Sequence, residues 1–179
     1  MAQAPDEELM AAYRGGDAGA FETLYARHRT RLFRFVLRSI KSRATAEELY
    51  QEIWMRVIEA RATYKATARF TTWLYTIAHN RMVDHWRKAG LALVSLDGED
   101  VPANEPDPQR HAEGREALAR FAAALENLPP VQREAFLLHE EGGLTVAEIA
   151  SATGTNEEAA KSRLRYAMAK LREGMRGWL

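Results

Sequence analysis

Apolar residues recur every three or four positions along most of the chain, whereas sustained alternation of apolar and polar residues is hard to find. The first pattern places apolar side chains on one face of an α-helix, and the second is typical of strands. Residues 18–40 show the helical pattern clearly, with apolar or aromatic side chains and one histidine at Phe21, Leu24, Tyr25, His28, Leu32 and Phe35. The chain therefore predicts an all-α fold.

The predicted helices fall into two groups. The first group covers residues 6–14, 18–40, 45–60 and 70–88, and the second covers 112–127, a helix from Pro130 to Gly142-Gly143, and two helices after it. Between the groups, residues 89–110 concentrate Gly, Asp, Asn and three prolines, and proline fixes φ and lacks an N–H donor. We therefore predict two small helical domains, at 1–90 and 112–179, joined by a flexible acidic linker at 91–111.

Composition narrows the class of protein. The 179 residues are 46% apolar, which suffices for a packed core, and the absence of cysteine excludes disulfides, thiolate metal sites and thiol nucleophiles. The start, MAQAPDEELM, lacks the apolar stretch of a secretory signal, and no apolar run reaches the roughly 18 residues of a membrane span. We therefore predict a cytoplasmic protein.

The net charge of zero hides separate basic and acidic blocks. Residues 11–90 contain 15 Lys and Arg against 7 Asp and Glu, whereas residues 91–130 contain 3 against 8. Residues 161–176 form a second basic block. Two basic blocks indicate a polyanion partner at each end of the chain, although solvated helix surface explains the same charges.

The last two predicted helices have the spacing of a helix-turn-helix. Two capping boxes, in which a hydroxyl and a carboxylate satisfy free amides at a helix start, occur at Thr145-x-x-Glu148 and Thr155-x-x-Glu158. Thr153-Gly154 supplies a turn between them. The final helix presents one polar face, made of Glu158, Lys161, Ser162, Arg165, Arg172 and Arg176, with Tyr166 at its edge. This pattern favours a DNA-recognition helix over a terminal amphipathic helix whose cations interact with the helix dipole.

Residues 70–88, FTTWLYTIAHNRMVDHWRK, carry two apolar stripes. The stripe expected to face the core consists of Phe70, Trp73, Leu74 and Ile77. The second stripe consists of Tyr75, His79, Met82 and Trp86, and polar residues including Asn80 lie between the two. Either the helix is sandwiched and buries both stripes, or its rings stack on unpaired bases, with Tyr64 and Arg69 extending the surface from the preceding loop.

A metal site at His79, Asp84 and His85 is the remaining interpretation of this helix. The two histidines are separated by about 240° around a helix, so they cannot bind one ion from a continuous helix. No Gly-rich phosphate loop, nucleophile elbow or catalytic carboxylate pair is found in the sequence. We therefore predict no metal, no cofactor and no enzymatic activity.

Together these segments resemble a bacterial RNA polymerase sigma factor of the sigma-70 family, in the group IV or extracytoplasmic-function class. ELYQEIWMRV at 48–57 is similar to region 2.2, and residues 70–88 are similar to regions 2.3 and 2.4. LPPVQREAFLLHEEGGLTVAEIA at 128–150 resembles the start of region 4, and AAKSRLRYAMAKLR at 159–172 resembles its −35 recognition helix. The resemblance implies a subunit that binds core polymerase, docks its helix-turn-helix in the −35 duplex and captures unwound −10 bases.

The resemblance also implies roles for individual residues. The expected contacts to the β′ clamp coiled coil of the polymerase are Glu48, Gln51, Glu52 and Met55. The expected contacts to the −10 strand are Tyr64, Arg69, Trp73 and Asn80. The expected contacts to the −35 duplex are Lys161, Ser162, Arg165 and Tyr166. The β flap of the polymerase and an anti-sigma factor are further partners that the resemblance implies.

One departure from the family pattern and two alternative functions complete the sequence-based expectations. Residues 157–160, Glu-Glu-Ala-Ala, stand where the family often has Gly-Thr-Val, which alters the −35 sequence that is read. A stand-alone helix-turn-helix transcription regulator would bind a specific duplex without polymerase. A helical metal hydrolase would depend on the two histidines and the aspartate considered above.

Overall fold

A computed structural model of the chain describes residues 3–90 and 113–178, and within these ranges it contains α-helices but no β-strand. The first four α-helices are α1 (Asp6–Arg14), α2 (Ala18–Ser39), α3 (Arg43–Ala60) and α4 (Phe70–Lys88). The next four are α5 (Glu113–Glu126), α6 (Pro130–Glu140), α7 (Val146–Thr153) and α8 (Glu157–Gly174). The all-α prediction is confirmed, and the linker predicted at 91–111 lies outside the described residues.

Side-chain caps define where several of these helices begin. The capping box predicted at Thr145 and Glu148 is present, with the Thr145 hydroxyl and the Glu148 carboxylate each accepting a backbone N–H. The other predicted cap, at Thr155, is wrong by one residue, and α3 begins slightly before its predicted start at residue 45. Ser42 caps α3 one turn before the predicted start, and Asn156 rather than Thr155 caps α8. In both helices the side chain that accepts the N–H belongs to Ser or Asn, which are preferred over Thr at the N-cap.

Helices α1 to α4 form an N-terminal bundle around an apolar core that includes Leu24, Phe35, Ile53, Phe70 and Leu74. The first helix is fastened at its start, because Asp6 accepts hydrogen bonds from Arg27 at 2.8 Å and pairs with His28 at 2.7 Å. Next to it, the Glu7 carboxylate accepts from the backbone N–H of Phe70 at 2.7 Å. Helix α1 therefore fixes the position at which α4 begins.

Helices α5 to α8 form a C-terminal bundle in which α8 packs on α5, α6 and α7. Helix α7 ends at Gly154, whose φ of 64° lies in the left-handed region that favours glycine. The chain then turns into the Asn156 cap of α8, which gives α7 and α8 the arrangement of a helix-turn-helix. The buried face of α8 consists of Ala160, Ala167 and Leu171, so its opposite face is left for solvent.

The two bundles pack against each other along α4 and α7 and along α2 and α6. Gly142, at the turn after α6, lies so close to its neighbours that a Cβ there would stand 2.6 Å from the Leu138 carbonyl oxygen and 3.2 Å from the Tyr75 ring. A larger residue would push the turn away from α4. The sequence leaves open whether the two predicted domains are in contact, and the structure shows that they share one continuous apolar core.

Arg133 ties the two bundles together from a buried position. Its guanidinium donates to the carbonyl oxygens of Leu125, Glu126 and Leu128 at the C-terminus of α5, and to that of Ser39 at the end of α2. Carbonyls in the last turn of a helix have no partner within the helix, so one side chain satisfies the ends of two helices. Burial lowers the pKa of Arg133, but these acceptors keep the cation hydrogen-bonded.

Candidate nucleic-acid interface

The outward face of α8 is polar, basic and exposed. Lys161, Arg165 and Tyr166 are exposed, and Ser162 beside them is half-buried. The Arg165 guanidinium lies over the Tyr166 ring, 5.2 Å from its centroid, so the ring supports the extended side chain. All four residues predicted for the −35 duplex therefore lie on the solvent side of the second helix of a helix-turn-helix. Arginine in this position can donate two hydrogen bonds to O6 and N7 of guanine.

Two carboxylates precede these cations in the first turn of α8. Glu157 and Glu158 are exposed and lie where the positive end of the helix dipole favours negative charge. Near the same turn, the Asn156 side chain accepts from the N–H of Ala159 at 2.8 Å. A glutamate at this end of a recognition helix repels phosphate and can accept from the amino group of cytosine.

Helix α4 differs from the sequence-based expectation for its two stripes. Tyr75, Met82 and Trp86, expected on the second face, are buried. Trp73 and Ile77, expected in the core, are only half-buried. The sandwiched alternative therefore describes α4, because α3 packs on one side of it and α7 on another. Tyr75 and Trp86 support the core and offer no surface for a stacked base in this arrangement.

The ring of Tyr64, one of the residues predicted to meet the −10 strand, is buried rather than open. It packs against Trp73, with ring centroids 5.0 Å apart and planes at 75°, and against Phe70. Its hydroxyl has no hydrogen-bond partner within the described residues, and burial raises its pKa. The expected stack on Tyr64 is not available in this arrangement, because the loop folds its ring under Trp73. Of the two rings, only Trp73 keeps a partly exposed surface.

A groove of about 330 Å³ lies between α3 and α4 and opens beside Asn80. Ile77 and Asn80 line it from α4, and Arg56 and Glu59 line it from α3. Arg81 and Asp84 of α4 also line it. Trp73, Ile77, Asn80 and Asp84 follow each other at spacings of three or four residues and so lie along one side of α4. Helical spacing could have found the α4 residues, but only packing reveals that α3 contributes an arginine and a glutamate.

Arg69, the remaining residue predicted for the −10 strand, lies at the N-terminal end of α4. Its side chain is mostly exposed and pairs with the Glu148 carboxylate of the C-terminal bundle at 3.3 Å. Burial opposes ionisation of Glu148, but the N–H and hydroxyl of Thr145 together with Arg69 hold the pKa of this carboxyl below its usual value. The Glu148 carboxylate is therefore charged at neutral pH and forms an ion pair with the Arg69 guanidinium.

A third surface lies on the outer side of α3. Glu48, Gln51, Glu52 and Met55, the residues predicted to meet the polymerase clamp, are all exposed, and 54% of the Met55 surface is accessible. Glu52 also accepts a hydrogen bond from Arg81 of α4, which holds the pKa of this carboxyl below its usual value. An exposed methionine surrounded by carboxylates suits a partner surface that is both apolar and basic.

One of the two histidines that raised a metal interpretation, His79, pairs with a carboxylate instead. His79 Nδ1 lies 2.7 Å from the Glu134 carboxylate of the C-terminal bundle. Within the described residues no group of three potential metal ligands comes together. In the same part of the chain, no helix has the length and hydropathy that a membrane span requires.

Comparison with known families matches both bundles. Residues 24–91 match the family described as Sigma-70 region 2, and residues 118–171 match the family described as Sigma-70, region 4. The first match contains α4 and the groove beside Asn80. The second contains α7 and the cationic face of α8.

Curated relatives are similar over most of this chain. RNA polymerase sigma factor CarQ of Myxococcus xanthus is 36% identical over 168 residues, covering 92% of this chain and 94% of that protein. ECF RNA polymerase sigma factor RpoE of Cereibacter sphaeroides is 32% identical and covers 93% of both chains. ECF RNA polymerase sigma factor BldN of Streptomyces coelicolor is 34% identical over 87% of this chain, and the match spans 60% of the length of BldN.

Two solved structures have a similar fold. CnrH in complex with the cytosolic domain of CnrY superposes with a TM-score of 0.69 at 26% identity, covering 94% of this chain and 95% of CnrH. The sigma factor RpoE in complex with the anti-sigma factor NepR, from Bartonella quintana, gives a TM-score of 0.68 at 24% identity. That match covers 88% of this chain and 97% of the other, and the likeness to it concerns the fold alone.

Proposed function

The chain belongs to the sigma-70 family of RNA polymerase sigma factors, in the extracytoplasmic-function class, and from this premise we propose how its surfaces divide the work of promoter-directed initiation. It binds core RNA polymerase, recognises the −35 duplex and captures the −10 strand. RNA synthesis itself belongs to the polymerase, so the chain has no catalytic residue and acts in the cytoplasm beside that enzyme. Functionally, residues 1–90 and 112–179 serve as separate units joined at 91–111.

Duplex recognition belongs to α8. Lys161, Ser162, Arg165 and Tyr166 share its exposed face, and α7 crosses behind it in the helix-turn-helix. Arg165 is pre-positioned by the Tyr166 ring, so it loses less side-chain freedom when it meets a base edge. The carboxylates of the first turn exclude phosphates from that end and favour cytosine there.

Strand capture belongs to the groove beside Asn80. Its volume of about 330 Å³ admits a single unpaired base. The asparagine amide, two arginines and two carboxylates around it offer both donors and acceptors to base edges. The half-exposed edge of Trp73 lies on the same side of α4 and stacks on a neighbouring base. Arg69, at the start of α4, has a mostly exposed side chain and is the expected contact to the phosphates of the strand.

Polymerase binding belongs to the outer face of α3. Glu48, Gln51, Glu52 and Met55 meet the coiled coil of the β′ clamp, and the C-terminal unit meets the β flap. A regulatory protein such as an anti-sigma factor is a further partner, because CnrH, which has a similar fold and is 26% identical over 94% of this chain, was solved in complex with the cytosolic domain of CnrY. Such a partner competes with the polymerase for these surfaces.

The observation that carries this proposal is that one chain exposes a duplex-reading helix face and, on a separate bundle, a groove suited to an unpaired base. Run-off transcription with purified core polymerase and genomic promoter fragments tests it. We expect specific transcripts only when this chain is added. A stand-alone regulator would instead bind its duplex tightly without polymerase and give no transcript with it.

A variant of the α3 face separates polymerase binding from DNA binding. Glu52→Arg should weaken binding to core polymerase about tenfold, because a cation replaces a carboxylate at a basic partner surface. Glu47→Arg, on the same helix beside the predicted contact residues, is the matched control and should change binding less. Equal affinity of Glu52→Arg and the unmodified chain in a titration with labelled core polymerase would remove the clamp assignment.

A further inference from the structure

The segment between α3 and α4 carries residues of the proposed strand surface but has little core of its own. Within residues 61–69, the Tyr64 side chain is buried and the others are exposed. The segment begins as a short 3₁₀ helix at Arg61–Thr63 and continues through turns to the start of α4. A segment with so few buried apolar contacts opens readily unless another element holds it. Its conformation therefore depends on contacts from outside the segment.

Helix α1 supplies such contacts at the start and in the middle of this segment. The Arg61 guanidinium donates to the Tyr13 hydroxyl at 3.2 Å and lies over the Tyr13 ring, 5.1 Å from its centroid. Arg14, the next residue of α1, donates to the backbone carbonyl oxygen of Tyr64 at 3.1 Å. The C-terminal end of α1 therefore holds two points of the segment.

A third contact from α1 lies where the segment joins α4. The residue before the helix, Arg69, makes no side-chain cap, and the N–H of Phe70 instead donates to the Glu7 carboxylate at 2.7 Å. A carboxylate at this point also interacts favourably with the positive end of the α4 dipole. Glu7 therefore caps α4 from another helix, and its loss would leave an N–H of the first turn without this acceptor.

Helix α1 can hold the segment because it is itself fixed to α2 and to the core. Asp6 pairs with Arg27 and His28 of α2, and Met10 is fully buried. Helix α1 lies before residue 24, where the match to the family described as Sigma-70 region 2 begins. That match therefore assigns no role to α1.

The hold of α1 on the segment reaches the proposed strand surface through two rings. Tyr64, whose carbonyl oxygen accepts from Arg14, packs its ring edge to face on Trp73, with centroids 5.0 Å apart. Trp73 is the half-exposed ring proposed to stack on a base. An edge-to-face partner favours one orientation of a ring. A ring already held in its bound orientation loses less freedom when a base stacks on it.

We propose that α1 is a positioning element for strand capture, in which Arg14 and Glu7 hold residues 61–70 so that Tyr64 keeps the Trp73 ring in its base-stacking orientation. The positioning role rests on the proposed strand capture, but the hold of α1 on the segment does not. Arg14 and Glu7 act through the backbone of the segment rather than by touching the strand.

Hydrogen exchange of the full chain, measured by mass spectrometry of peptides that cover residues 61–70, tests the hold of α1 without DNA or polymerase. Glu7→Ala and Arg14→Ala should each speed exchange in this segment about tenfold, because each removes a hydrogen bond that restrains it. Glu7→Gln keeps an acceptor for the N–H of Phe70 and should restore slow exchange. Glu8→Ala, at an exposed position of α1, is the matched control. Equal exchange in all these proteins would overturn the proposal.

Circular dichroism verifies that each variant is folded. Arg14 is exposed, so Arg14→Ala keeps the test decisive if Glu7→Ala does not fold.

Strand affinity tests the second step of the proposal. The chain is assembled with core polymerase and titrated with a single-stranded −10 oligonucleotide from a promoter that run-off transcription identifies. Arg14→Ala should weaken this binding about fivefold and leave the −35 duplex unaffected. In a Trp73→Ala background, the same change should cost less than about twofold, because the ring that it positions is gone. An equal loss in both backgrounds would refute positioning through Trp73.

The two measurements separate failure of this inference from failure of the proposed function. Faster exchange in Arg14→Ala with unchanged oligonucleotide affinity would refute the positioning role and leave strand capture standing. An unmodified chain that, assembled with polymerase, does not bind the oligonucleotide would refute strand capture and the positioning role with it. The hold of α1 on residues 61–70 would in that case still be decided by the exchange rates.

Discussion

Helices α4 and α8 have similar sequences in one respect, since both mix aromatic rings with cations, yet the fold uses them differently. Helix α8 packs along one side and keeps Arg165 and Tyr166 exposed on the other. Helix α4 is enclosed on two sides, so Tyr75 and Trp86 are buried and only a strip around Asn80 faces solvent. A ring beside a cation therefore indicates a nucleic-acid surface only where one side of its helix is free of packing.

The largest expected difference concerns stability. Trp86→Ala should destabilise the protein by about 3–5 kcal/mol, because it empties a site in the core that is 4% exposed. Tyr166→Ala, which removes a ring that is 43% exposed, should change the free energy of unfolding by about 0.5 kcal/mol or less. Urea denaturation followed by circular dichroism measures both. Comparable losses in the two variants would mean that α4 and α8 are not packed as differently as described.

The next largest effect is expected on the affinity for the −35 duplex. Arg165→Ala should weaken binding to a −35 duplex by about 1–3 kcal/mol, because it removes a base contact at the exposed face of α8. The same variant should bind a single-stranded −10 oligonucleotide as well as the unmodified chain does. Arg43→Ala, on α3, is the control. Fluorescence anisotropy with the duplex and with the single-stranded oligonucleotide measures both affinities. An equal loss of affinity for the two DNA forms would contradict the assignment of separate surfaces.

A smaller effect is expected at the groove. Asn80→Ala should weaken capture of the −10 oligonucleotide by about 1 kcal/mol, the net contribution of a typical hydrogen bond, and should leave the −35 duplex unaffected. Asn127→Ala, at an exposed asparagine in the turn before α6, is the matched control. Permanganate footprinting of promoter opening with polymerase gives an independent measurement. Normal opening by the Asn80 variant would show that the groove does not receive the strand.

The smallest effect concerns the pH dependence of stability. It distinguishes Arg69 at the start of α4 from Arg165 on α8. The pKa of Glu148 is lower in the folded chain than its ordinary value, so its contribution to stability is present above that ordinary value and is lost as the pH falls through the folded pKa. The contribution should be about 0.5 kcal/mol, since Arg69 is largely exposed. In the Glu148→Gln variant, the free energy of unfolding should therefore fall less at acid pH, by the amount of this contribution.

The control for this prediction is Arg165 on α8, which lies over an aromatic ring rather than beside a carboxylate. Arg165→Gln should leave the acid-side slope of the unfolding free energy unchanged. A slope that is identical in the unmodified chain and in Glu148→Gln, between about pH 5 and 3, would mean that the Arg69 contact does not persist in solution.

Much of the local structure follows from the sequence. Helical periodicity placed all eight α-helices of the described ranges within a few residues, and the Thr145–Glu148 pair marked the start of α7. The caps at Ser42 and Asn156 were missed because a Thr-x-x-Glu motif stands close to each helix start and favoured the threonine, although Ser and Asn are the stronger N-cap residues. The amphipathic face of α8 was predictable because that helix has one apolar stripe.

The sequence by itself determined the helices, the helix-turn-helix and the cationic face of α8, because these depend on contacts between residues a few positions apart. Tertiary structure alone decided which stripe of α4 is buried, since α4 offers two apolar stripes and α7, more than 50 residues further along the chain, covers part of it. It also decided that Arg56 joins Asn80 at one groove and that Glu148 meets Arg69. The spacing of apolar residues determines which side chains share a face of a helix. Whether that face is buried or exposed depends on which element packs against it.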